Sequence, residues 1–123
     1  MAPETPNPTE ISLHRKSRVL EVAFDDGSRF NLPCEYLRVC SPSAEVRGHG
    51  PGQETLQVGK ESVNIVEVEP VGNYAVCLHF DDGHDTGIYS WETLYDLGRN
   101  YEPYWEAYLH ALKDAGHERK AAE

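Results

Sequence analysis

The sequence predicts an α+β fold: a small, mainly antiparallel sheet built from two hairpin-like units, with short helices and a C-terminal aromatic helix. Two extended apolar runs each end in Phe-Asp-Asp-Gly, at residues 24–27 and 80–83, and Asp-Gly supplies the positive φ angles that a tight hairpin turn needs. Each turn leads through a further extended stretch to a helix-start signal, Pro33 in the first unit and Ser90 in the second. Near the end of the chain Trp105, Tyr108, Leu109 and Leu112 recur at spacings of three and four, the period of a helix with one apolar face. A chain of 123 residues with 39% hydrophobic content has room for one core, so a single domain is expected over residues 11–116.

Residues 1–10 carry Pro3, Pro6 and Pro8 among polar neighbours, a composition that buries too little apolar surface to offset ordering entropy, and a disordered tail is expected there. Val19 to Phe24 and Arg29 to Leu32 read as two strands around the first turn. Pro33, with φ preset and no amide hydrogen, suits the first position of a short helix through Val39 that ends by Ser41-Pro42. Ser43 to Gly59 holds Gly48, Gly50, Gly52, Gly59 and Pro51 and reads as a long loop, with room for a short strand at Thr55 to Val58. Val63 to Glu69 and Tyr74 to Phe80 alternate as strands around the turn Pro70-Val71-Gly72-Asn73. Ser90 is an N-cap for a helix over Trp91 to Gly98, with Gly98 as its stop, and a last helix is expected from Pro103 to Ala115. Gly116 ends that helix, and residues 117–123 are expected to fray. Both units read strand, turn, strand, helix, which fits an internal duplication or two independent uses of the same turn chemistry.

Charge narrows the function. With 21 acidic side chains against 11 basic ones the formal net charge is −10, which opposes binding to phosphate backbones or anionic lipid; nucleic acid and membrane surfaces are not expected partners. No apolar run approaches the roughly 20 residues of a membrane span. The N-terminus lacks a basic stretch followed by an apolar one, so no secretory leader is expected and the location predicted is cytoplasmic. In that reducing compartment Cys34, Cys40 and Cys77 are read as thiols or metal ligands rather than disulfide partners.

Several groups could carry chemistry. His79-Phe80-Asp81 with His110 spells the two-histidine, one-carboxylate set of non-haem iron, although a strand histidine and a turn carboxylate explain the same letters. Cys34, Cys40 and Cys77 with His49 and His84 offer enough soft ligands for a tetrahedral ion, but no pair has Cys-x-x-Cys spacing. The Asp25-Asp26 and Asp81-Asp82 pairs are accounted for by hairpin turns. Tyr101, Tyr104, Trp105 and Tyr108 lie at helical spacing, suited to core packing or to a partner surface. The segment from Arg38 to Gly52 is richest in donors and acceptors: Arg38, Ser41, Ser43, Glu45, Arg47 and His49 are the expected binding residues. Two arginines there make a local positive spot in an acidic chain, fit to receive an anionic ligand or an acidic segment of a partner, unless they pair internally and pin the loop.

Leu32-Pro33, Tyr36-Leu37-Arg38, the run Ser41-Pro42-Ser43-Ala44-Glu45-Val46-Arg47-Gly48-His49-Gly50, Glu69-Pro70-Val71-Gly72-Asn73-Tyr74, and Phe80-Asp81-Asp82-Gly83-His84-Asp85-Thr86-Gly87-Ile88-Tyr89-Ser90-Trp91 together resemble one family. It is the gamma-butyrobetaine hydroxylase-like N-terminal domain family, in its stand-alone bacterial form. In the hydroxylases that this resemblance points to, the domain precedes a separate 2-oxoglutarate dioxygenase domain that holds the iron. That catalytic domain is missing here, so the resemblance implies a non-catalytic accessory or binding module and not an enzyme. Related domains fused to P-loop carriers of iron-sulfur clusters imply the alternative, a small metal-binding or iron-sulfur assembly accessory factor. The hydroxylase domain also carries a structural zinc held by clustered cysteines after a Leu-Arg pair and by a histidine after an acidic hairpin. By resemblance Cys40 and His84 are the metal ligands, Ser41 and Ser43 stand where further cysteines would fall, and a zinc or iron ion is the candidate cofactor. The partner expected is another protein, with its identity and the oligomeric state left open by the sequence.

Overall fold

The computed structural model describes residues 5–47 and 55–119. Its elements in order are β1 (Pro8–His14), β2 (Val19–Phe24), β3 (Arg29–Pro33), α1 (Cys34–Val39), α2 (Ala44–Arg47), β4 (Ile65–Val71), β5 (Ala75–Phe80), β6 (Gly87–Ser90), α3 (Trp91–Arg99) and α4 (Tyr101–Asp114). The strands divide between two antiparallel three-stranded sheets, β1-β2-β3 and β4-β5-β6, so the fold is α+β as the turn and helix signals predict.

The two sheets are built alike. In the first turn the Phe24 amide donates to the Ser28 carbonyl at 2.8 Å and the Gly27 amide to the Phe24 carbonyl at 3.1 Å. In the second, Phe80 donates to His84 at 2.9 Å and Gly83 to Phe80 at 3.2 Å. Gly27 and Gly83 have φ of +90° and +89°, a conformation that a side chain would strain. Asp26 accepts from the Ser28 amide and Asp82 from the His84 amide. The leading strand of each sheet carries an irregularity at the matching place, between Pro8 and Glu10 and between Ile65 and Glu67, and a helix follows each third strand. Likeness in strand order, bulge position and following helix exceeds what shared turn chemistry accounts for, and favours duplication of the two readings.

Some boundaries differ from the local signals. β1 starts at Pro8, within the stretch whose composition suggested a tail; it is an edge strand, where a missing proline amide leaves no inner ladder bond unmade. Pro33 closes β3 in an extended conformation and precedes α1 instead of opening it. Thr55 to Val58 form no strand, since their polar groups are taken elsewhere: the Thr55 amide donates to the Val46 carbonyl and the Tyr108 hydroxyl to the Gln57 carbonyl. α4 begins at Tyr101, two residues before Pro103, which therefore sits in the first turn, where its missing amide costs nothing. Its end matches expectation, with Gly116 at φ +80° and the His117 amide returning to the Leu112 carbonyl at 2.9 Å. Beyond it Arg119, in the stretch expected to fray, forks onto the buried Glu35 carboxylate at 2.7 and 2.5 Å.

Gly98 is not a helix stop. It lies inside α3, and a Cβ there would meet the Phe30 ring at 2.4 Å. In an exposed helix interior Gly→Ala gains about 1 kcal/mol. Here the sign should reverse: Gly98→Ala is expected to lower stability by about 1–3 kcal/mol through overpacking, because the atoms met include Phe30 Cγ near the root of the ring. Urea denaturation of Gly98→Ala beside Gly98→Ala/Phe30→Leu measures this, and the double variant should recover part of the loss.

One core joins the units. Leu20, Val22, Leu32 and Leu37 from the first pack with Ile65, Leu78, Tyr89 and Leu94 from the second. α4 covers the first unit through Tyr101 and Trp105, whose rings lie 4.7 and 6.2 Å from that of Tyr36.

Candidate functional site

The second Asp-Asp-Gly turn does more than reverse the chain. Its Asp82 carboxylate receives Arg38 Nε from α1 at 2.9 Å and Lys60 Nζ at 2.7 Å. Burial of the carboxyl raises its pKa, but the bonds from Lys60, the His84 amide and Arg38 outweigh this and hold it down at about 2. Arg38 is buried, and its Nη1 is the buried side-chain polar atom without a hydrogen-bond partner among the described residues.

Two residues on, His84 is 4% exposed and its Nε2 lies 2.9 Å from the Oγ of Ser41, which is fully buried. Ser43 Oγ meets Thr86 Oγ1 at 2.7 Å, and the Ser43 amide donates to Ser41 Oγ at 3.2 Å. This approach needs Gly87, since a Cβ there would stand 2.6 Å from Ser41 Oγ. The Tyr89 hydroxyl donates to the Leu37 carbonyl at 2.5 Å, in the last turn of α1. The turn from α1 into α2 is thus bonded side chain by side chain onto the second unit.

Of the residues expected to bind, Arg38, Ser41 and Ser43 are buried and bonded inward, as the pinning alternative required for Arg38. Arg47 is exposed and its Nη2 donates to the Cys40 carbonyl at 3.3 Å. The Glu45 side chain and His49 lie outside the described residues. Arg47, Cys40 and Pro42 line a cavity with Thr93, Asp96 and Leu97 of α3 and Tyr104 of α4. Tyr104 is an exposed aromatic whose hydroxyl donates to Asp96 at 2.9 Å. A serine beside a histidine nitrogen has the form of an activated nucleophile, but both partners are sealed from solvent, and the pair acts here as a brace.

The zinc implied by resemblance meets hydroxyls. Where cysteine thiolates would hold it stand Ser41 and Ser43, already bonded to His84 and Thr86. Burial pushes the Cys40 thiol up to about 11, with Arg47 opposing. Cys40 and His84 belong to no group of three ligating side chains among the described residues. A closed four-coordinate zinc does not fit this set. Nor are His79, Asp81 and His110 brought together: His79 bonds Glu69, Asp81 accepts from the Asn64 amide, and His110 lies on the outer side of α4. The group that does converge is Glu69, Cys77 and His79, with ligating atoms within 4.8 Å of one another. The turn Pro70–Asn73 sets a register that pairs Glu69 with Cys77 and Glu67 with His79, and that arithmetic was open to the sequence.

These features define a small α+β module whose polar centre serves to dock its two units. Residues 11–95 match the family described as gamma-butyrobetaine hydroxylase-like, N-terminal, and the chain belongs to that family. A protein solved by NMR in solution is 54% identical, covering all of this chain and 93% of its own, with a TM-score of 0.83. A second NMR structure is 44% identical over 98% of this chain and 94% of its own, with a TM-score of 0.82. A crystal structure of a protein of unknown function from Acidithiobacillus ferrooxidans ATCC 23270, in the DUF971 family, is 44% identical over 79% of this chain and 98% of its own, with a TM-score of 0.66. Comparison with the curated proteins finds no match. Among the described residues no helix is long and apolar enough to cross a membrane.

Proposed function

We propose that this protein is a non-catalytic accessory module that binds an acidic segment of a partner protein at the cavity between the α1–α2 turn and α4. The observation that supports this reading is the meeting of Arg47, exposed and charged, with the exposed Tyr104 on one cavity wall system, while the neighbouring Arg38, Ser41 and Ser43 are committed to the fold. Tyrosine and arginine are the side chains most often central to protein interfaces. In a chain of net charge −10, an exposed arginine beside an aromatic face favours a carboxylate-bearing segment over a basic one. The sealed Ser41–His84 pair supports the non-catalytic part, since no substrate reaches it.

The test uses the full chain as bait in native cytosol. Arg47→Glu with Tyr104→Ala should reduce capture of the wild-type partner at least ~10-fold, as loss of interface anchors typically does. Its melting temperature should move little, because surface substitutions usually stay within about 0.5 kcal/mol. Equal capture by the variant overturns the binding surface. Succinate formed from 2-oxoglutarate with ferrous iron and trimethylammonium acids, above a control without protein, overturns the non-catalytic reading.

A further inference from the structure

The outer face of the second sheet carries a different constellation. β4 contributes Glu67 and Glu69, and the paired β5 contributes Cys77 and His79, all pointing to the side away from Val76, Leu78 and Phe80. His79 Nε2 lies 2.9 Å from a Glu69 carboxylate oxygen and 4.0 Å from one of Glu67. Cys77 Sγ lies within 4.8 Å of the Glu69 and His79 atoms, and its thiol hydrogen is directed at the Asp85 carbonyl, 3.1 Å away.

The first unit provides an internal comparison. At the equivalent place on its sheet, Glu10 pairs with Ala23 and Ser12 with Glu21 across β1 and β2. There Arg29 forms ion pairs with both Glu21 and Glu10, so a guanidinium neutralises the carboxylates. In the second unit the charged groups acting on Cys77 and His79 are Glu67, Glu69 and Asp85, all acidic. The Glu69 carboxylate, a thiol and an imidazole therefore converge, with Glu67 4.0 Å from the imidazole, where the sister unit places a fixed cation.

We propose that Glu69, Cys77 and His79, with Glu67 as fourth donor, form a binding site for a divalent metal ion of the zinc class. Sulfur, nitrogen and carboxylate oxygen together suit a borderline-soft ion such as Zn²⁺ or Co²⁺, and exclude magnesium or calcium, which take oxygen ligands. Bonds of about 2.0–2.3 Å place tetrahedral ligands roughly 3.3–3.8 Å apart. Among Glu69, Cys77 and His79 the ligating atoms lie within 4.8 Å of one another, so the wider separations close by about an ångström while the 2.9 Å Glu69–His79 contact opens slightly, and the exposed Glu69 side chain can supply both by rotation. Glu67, 4.0 Å from His79, swings in as the fourth donor. On binding, the Cys77 thiol gives its proton to solvent and its sulfur leaves the Asp85 carbonyl for the metal. His79 Nε2 gives up the proton it shares with Glu69, the ring turning to its Nδ1–H tautomer or, if imidazolium, releasing one proton to solvent, and the freed lone pair binds the same ion while the Glu69 oxygen turns to it. The ion then takes the neutralising role that Arg29 has in the first unit. This site shares no residue with the Arg47–Tyr104 cavity, so either proposal can fail alone.

Cobalt titration of the untagged full chain tests it, because a Co²⁺–thiolate bond gives a charge-transfer absorption in the near ultraviolet that oxygen and nitrogen ligands do not. The expected result is that absorption at one ion per chain, removed by one equivalent of Zn²⁺. Cys77→Ser should abolish it, and His79→Gln should weaken Co²⁺ affinity at least ~10-fold, the scale seen when even outer partners of a metal are lost. Cys34→Ser and Cys40→Ser should leave it unchanged. Circular dichroism checks that each variant is folded, and His79→Gln, at a partly exposed position, reports on the site should Cys77→Ser unfold. No charge-transfer absorption in the wild type, or an absorption that survives Cys77→Ser or depends on Cys40, overturns the proposal.

Discussion

Asp82→Ala is expected to cost about 3 kcal/mol of stability, the low end of the range for removing one partner of a buried ion pair, because Arg38 is buried while the Asp82 carboxylate stays partly in water. Arg38 is buried, has Nη1 already without a partner among the described residues, and relies on Asp82 for its Nε bond. Removing the carboxylate leaves that guanidinium charged and desolvated, and releases Lys60 from the same oxygen. Asp82→Asn keeps an acceptor for the His84 amide but not the charge, and should cost most of the same amount. Arg38→Met added to Asp82→Asn should recover part of the loss, since the pair removed together leaves no buried charge behind. Chemical denaturation of Asp82→Asn, Arg38→Met and the double variant measures the coupling, and losses that simply add would show that the pair is not interacting.

The same carboxylate sets a pH dependence. Its folded pKa of about 2 lies below the ordinary 3.8, so the folded state binds its proton less readily than the unfolded chain. Its contribution is fully present above about pH 4 and is lost as pH falls through about 2. The depression corresponds to about 2 kcal/mol, less than the cost of Asp82→Ala because a protonated carboxyl still accepts hydrogen bonds. The difference between wild-type and Asp82→Asn stability should therefore shrink by about that amount between pH 5 and pH 2.

Tyr36→Ala should cost about 3–5 kcal/mol, as for other large buried rings. Tyr36 is fully buried, meets Tyr101 and Trp105 edge-on, and donates its hydroxyl to the Leu97 carbonyl at 2.7 Å. It thus fastens α1 to the last turn of α3 and to the face of α4. Tyr36→Phe keeps the ring and loses only the bond, leaving a buried carbonyl unmet at about 1–3 kcal/mol. Urea unfolding followed by tryptophan fluorescence separates the two, with Trp105 reporting on α4. If Tyr36→Ala were no worse than Tyr36→Phe, the ring would not be what anchors the last helix.

By itself the sequence determined the features whose physics is local. Asp-Gly at 26–27 and 82–83 demands positive φ, Ser90 caps the following helix by accepting from the Thr93 amide, and the aromatic period of α4 fits no strand; these predicted the α+β class, while the longer motif runs such as Ser41–Gly50 and Phe80–Trp91 carried the resemblance to the family that the chain belongs to. Local rules failed where packing outvoted them. Gly98 reads as a helix stop, yet it is there because Phe30, from another sheet, occupies the space of its side chain. The donor-rich character of Arg38, Ser41 and Ser43 was legible, but what they face was not. Their partners Asp82, His84 and Thr86 lie 43 or 44 residues further along the chain. The convergence of Glu69, Cys77 and His79 was closer to hand, because it follows from hairpin register once the turn is placed. Only the tertiary structure decided which polar groups are sealed inside and which face solvent, since periodicity records the side of an element on which a residue sits and carries no information about which distant element comes to cover it.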